Sequence, residues 1–60
     1  MNRSPYEKID RWLSQHEACM YYEKSLDQIA DYIAWAAKFK KITDAEEAKV
    51  VDRICKLYKQ

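Results

Sequence analysis

The run from Ser25 to Glu46, SLDQIADYIAWAAKFKKITDAE, opens with one helix-start signal and closes with another. Ser25-Leu26-Asp27-Gln28 and Thr43-Asp44-Ala45-Glu46 both fit the capping box. In that motif a hydroxyl accepts from the backbone N–H three residues on, and a Glu or Gln side chain reaches back to the cap's own N–H. Between the two boxes, Leu26, Ile29, Ala30, Ile33, Ala36 and Ala37 recur at helical spacing as an aliphatic stripe. Tyr32, Trp35 and Phe39 form an aromatic stripe beside it. Upstream, Ser4-Pro5-Tyr6-Glu7 repeats the start signal, with Pro5 at the first helical position, where its missing N–H costs nothing. One such match is weak; three, each opening an apolar periodicity, predict three helices at about 5–23, 26–41 and 44–59.

The first helix collects Tyr6, Ile9, Trp12, Leu13, His16, Cys19 and Met20 on one stripe. The third offers Ala48, Val51, Cys55 and Tyr58, flanked by Val50, Ile54 and Leu57. The connections are short, so neighbouring helices are expected to run antiparallel. The expected fold is all-α, a compact three-helix bundle or related three-helix arrangement forming one domain over residues 1–60. The middle helix, being the most apolar, is expected to touch both others.

Composition excludes most functional classes. Sixty residues leave no room for a cofactor domain beside a substrate domain, and no cofactor or small-molecule substrate is expected. The chain has no glycine, which argues against hairpins, phosphate loops and tight left-handed turns. A net charge of +1 exerts no global pull on nucleic acid or membrane, and no apolar run approaches a membrane span. Two cysteines are too few for a disulfide scaffold, which makes a cytoplasmic setting the expectation. With Met1 at its start and no linker, the chain is expected to be a complete small protein, accessory or inhibitory in the manner of small bacterial and phage proteins.

Charge is unevenly placed. Residues 1–37 hold four bases and six acids, whereas residues 38–60 hold seven bases and four acids. Lys49, Arg53 and Lys56 could form the basic stripe of a helix-turn-helix reader, the alternative functional reading. That stripe starts behind Asp44, Glu46 and Glu47, whereas recognition helices contact bases with their N-terminal residues. Lys38, Lys40 and Lys41 close the second helix and Lys56 and Lys59 the third, the distribution that complements helix dipoles.

Candidate chemistry is sparse. His16 and Cys19 stand one turn apart, and Cys55 could join them. Three arrangements are open: buried reduced thiols, which free cysteines favour; a Cys19–Cys55 disulfide; and a metal site, for which only Glu23 offers a fourth ligand. The first is expected, with His16 a core-edge side chain satisfied by one hydrogen bond. A Cys–His nucleophile lacks an orienting acid, and Asp27 with Asp31 reads as a solvated face, so no catalytic residue is assigned.

Aromatic content is the strongest functional signal: 13% of the chain, in a molecule with little interior. Tyrosine and tryptophan are enriched at interfaces and their hot spots. The expected binding residues are Tyr32, Trp35 and Phe39 on the second helix, with Tyr21 and Tyr22, which fall outside the first helix's stripe. The expected partner is a protein, with a second copy of the chain as one form it can take.

Overall fold

The computed structural model describes residues 4–18 and 24–59, and it is all-helical: α1 (Pro5–Ala18), α2 (Leu26–Lys38) and α3 (Asp44–Tyr58), each in contact with both others. All three capping boxes form. At α1, Ser4 N–H donates to Glu7 Oε1 at 3.4 Å and Glu7 N–H to Ser4 Oγ at 3.3 Å. At α2 the reciprocal pair joins Ser25 and Gln28 at 2.9 and 3.2 Å. At α3 it joins Thr43 and Glu46 at 2.9 and 3.1 Å. Each box satisfies amides that the first turn leaves without an intrahelical partner.

Among the described residues the buried core is aliphatic: Ile9 and Leu13 from α1, Ile29, Ile33 and Ala36 from α2, Ile42 from the connection, and Val50 and Ile54 from α3. Tyr6, Trp12, Leu26, Ala30, Tyr32 and Leu57 pack around it, partly buried. The Cα envelope measures 29 × 27 × 16 Å. Packed helix axes lie about 8–10 Å apart, so the thin dimension holds only two helix layers. The six aromatic rings of the described residues do not all find an interior there: Trp35, Phe39 and Tyr58 are exposed.

The second helix stops earlier than its apolar period implies. α2 ends at Lys38 rather than near 41, and Lys40 takes φ 58, the left-handed region. Lys40 N–H donates to the Ala37 carbonyl at 3.2 Å and Lys41 N–H to the Ala36 carbonyl at 2.7 Å. This is the Schellman closure, usually built on glycine, here on a lysine. The absence of glycine therefore did not exclude a left-handed turn. The turn reverses the chain within four residues and delivers Ile42 to the core.

The facing of α3 also differs from expectation. Val50 and Ile54 are buried and Leu57 half-buried, whereas Ala48, Val51, Cys55 and Tyr58 are exposed. The helix carries two apolar stripes roughly a quarter-turn apart, and packing selected the one with the β-branched pair. Cys55 is consequently an exposed free thiol, not a buried one. The segment expected to continue α1 to residue 23, with Cys19, Met20, Tyr21, Tyr22 and Glu23, lies outside the described residues. No helix among the described residues is long and apolar enough to cross a membrane.

Candidate binding surface

The aromatic stripe of α2 forms a continuous ladder that begins on α1. Trp12 meets Tyr32 edge-on, with centroids 5.0 Å apart and planes at 86°. Tyr32 and Trp35 follow at 5.3 Å, and Trp35 and Phe39 at 6.0 Å. The i, i+3 and i+4 spacing on one helix brings these rings together. The ladder is graded in burial. Trp12 and Tyr32 pack against the core, Trp35 is 43% exposed and Phe39 is 56% exposed. Cations sit at both ends: Lys24 Nζ lies 4.7 Å from the Trp12 ring centroid and Lys38 Nζ 5.7 Å from that of Phe39. Of the expected binding residues, Tyr32, Trp35 and Phe39 are thus brought together, while Tyr21 and Tyr22 lie outside the described residues.

The other flank of α2 faces α3 across an open apolar groove of about 320 Å³. Ala30, Ile33 and Ala34 form one wall and Val51, Ile54, Cys55 and Tyr58 the other, with Glu47 beside them. The Tyr58 hydroxyl donates to the Asp27 carboxylate, which raises the phenol's pKa. That pair links the end of α3 to the start of α2, as antiparallel neighbours require. The groove was missed in the sequence because its α3 wall was assigned to the core.

The proposed basic stripe is partly engaged within the molecule. Arg53 reaches across to α1, donating to Asp10, to Ser14 Oγ at 3.0 Å, and to Glu17 through Nη2 at 2.9 Å and Nε at 3.2 Å. The two-pronged bond to Glu17, opposed by desolvation and aided by Asp10, raises the guanidinium pKa further. The same bond holds the Glu17 carboxyl below its ordinary value. Lys56 pairs with Asp52 one turn earlier at 3.0 Å, while Lys49 is exposed.

His16 is half-buried, and its Nε2 lies 2.6 Å from the Lys24 carbonyl oxygen. A carbonyl can only accept, so Nε2 carries the proton in that bond. The imidazole thereby ties α1 to the backbone just before the Ser25 cap, as expected of a satisfied core-edge histidine. Among the described residues, no three His, Cys, Asp or Glu side chains are grouped to hold a metal ion.

No protein-family model, curated protein or solved structure matches this chain, so its own residues carry the functional reading.

Proposed function

We propose that this chain is a non-enzymatic helical module that binds a partner protein through the Tyr32–Trp35–Phe39 ridge, acting as an accessory or inhibitor by covering that partner's surface. The observation that carries the reading is the exposure of Trp35 and Phe39 in one contiguous ladder whose other end is anchored in the fold. Soluble proteins leave large contiguous apolar patches in water mainly where those patches are used. A rigidly backed tryptophan is the residue type most often found at the centre of an interface hot spot. Cytoplasmic action belongs to this reading, because an exposed thiol such as Cys55 stays reduced there. The nucleic-acid alternative has weaker support, since Arg53, the middle of its stripe, is held by Asp10, Ser14 and Glu17.

The test is capture with the immobilised chain, comparing the parent with Trp35→Ala, Phe39→Ala and Lys49→Ala. One protein recovered in stoichiometric amount by the parent and by Lys49→Ala, and lost by the two ridge variants, supports the proposal. A dimer in light scattering that dissociates on Trp35→Ala supports its self-pairing form. Equal capture by all four chains overturns it.

A further inference from the structure

Charge around the ridge is segregated in a way that net charge conceals. At about 100° per residue, the flank of α1 beside Trp12 carries Lys8, Gln15 and Arg11, with Glu7, one turn before Arg11, at its far edge and bonded to the Ser4 cap. The acids of α1 that face the other way, Asp10 and Glu17, are turned toward Arg53 of α3. Lys24 and Lys38 stand over ring faces of the ladder itself, and Lys40 and Lys41 follow Phe39 in the closing turn. The nearest acid on α2 is Asp31, one turn before Trp35, which borders the ridge on the same flank as Lys38, the flank away from α1. Among the described residues the aromatic ridge is therefore bordered mainly by basic side chains from two helices and two connections, with Asp31 the acid closest to it, in a chain whose formal charge is only +1.

We infer that the occupant of this ridge is an acidic protein segment, one that takes Trp35 and Phe39 into an apolar recess and sets carboxylates against Lys8, Arg11, Lys24, Lys38 and Lys41. This rests on the reading of the ridge as a protein-binding surface and adds the chemistry of the partner. Complementary charge at the rim of an apolar anchor steers encounter and rejects basic or neutral competitors. Single-stranded nucleic acid is also drawn to bases interleaved with aromatics, because its bases stack on open ring faces. Here the ammonium of Lys24 covers a face of Trp12 and that of Lys38 a face of Phe39, which leaves fewer open faces for a base. A carboxylate-bearing segment meets those same ammonium groups directly.

The experiment is selection of a random-peptide library on the immobilised chain, followed by affinity measurement on the recovered peptides and on an oligothymidylate. The expected peptides carry an apolar or aromatic cluster flanked by Asp and Glu and lose binding on Trp35→Ala. They weaken at least about tenfold on the double substitution Lys38→Gln, Lys41→Gln, and weaken likewise between about 0.15 M and about 0.5 M salt. Circular dichroism of each variant establishes that the helices persist. Peptides that depend on Trp35 but carry no acidic excess overturn the inference and leave the ridge as a binding surface. Recovery of no Trp35-dependent peptide overturns both. Tight oligothymidylate binding that is lost on Trp35→Ala assigns the ridge to nucleic acid and overturns both as well.

Discussion

The Trp12 indole meets the Tyr32 ring edge-on at 5.0 Å, and this cross-helix contact fixes the base of the ridge to α1. Edge-to-face pairs contribute about 0.5–1.5 kcal/mol beyond the area they bury. A double-mutant cycle with Trp12→Leu and Tyr32→Leu, read by urea unfolding, is expected to return a coupling energy of that size. The same cycle on Trp12 and Phe39, which do not touch in the ladder, is expected to return a value within about 0.5 kcal/mol of zero.

Lys40 occupies the left-handed region at φ 58 in the Schellman turn after α2. A side chain with a Cβ costs about 1–2 kcal/mol there, and glycine costs nothing sterically but loses more entropy on folding. The difference favours glycine, so Lys40→Gly is expected to stabilise the fold by up to about 1 kcal/mol. A melting temperature raised by several degrees checks it.

Cys55 is exposed on the groove side of α3. In a Cys19→Ser background, a thiol reagent is therefore expected to label one equivalent under native conditions, at the same rate with or without mild denaturant. Labelling that waits for unfolding would place Cys55 in the core.

Glu17 is held below its ordinary value of 4.5 by its hydrogen bonds from Arg53. A carboxylate whose folded-state pKa is depressed adds stability above its unfolded value, and that stability is lost as pH falls through the folded one. The parent is accordingly expected to lose stability as pH drops below about 4.5, and Arg53→Met to show a shallower acid dependence. The carboxylate is 43% exposed, so solvent screening keeps the effect small, and melts at low ionic strength resolve it best.

The reach of the sequence can be judged residue by residue. Helix starts were legible because Ser4, Ser25 and Thr43 each carry a local motif whose hydrogen bonds close within three residues. The ridge was legible because Tyr32, Trp35 and Phe39 interact along a single helix. What failed was the choice between two apolar stripes on α3, Val50–Ile54–Leu57 and Val51–Cys55–Tyr58. Periodicity within one helix assigns them nearly equal weight; the decision lies in contacts across the chain, including Arg53 to Asp10 and Glu17. The left-handed turn at Lys40 was invisible for a related reason. Its hydrogen bonds satisfy α2's last carbonyls whatever the side chain, and only glycine or asparagine would have announced it.

Display of Trp35 outside the core is tested most directly by the urea unfolding free energy of Trp35→Ala. A ring that is displayed, packed against Tyr32 and Phe39 in the ladder, predicts a loss of no more than about 1.5 kcal/mol with the helical signal intact. A loss of about 3–5 kcal/mol, or a chain that no longer folds, would make Trp35 a core residue and contradict the ridge as a binding surface.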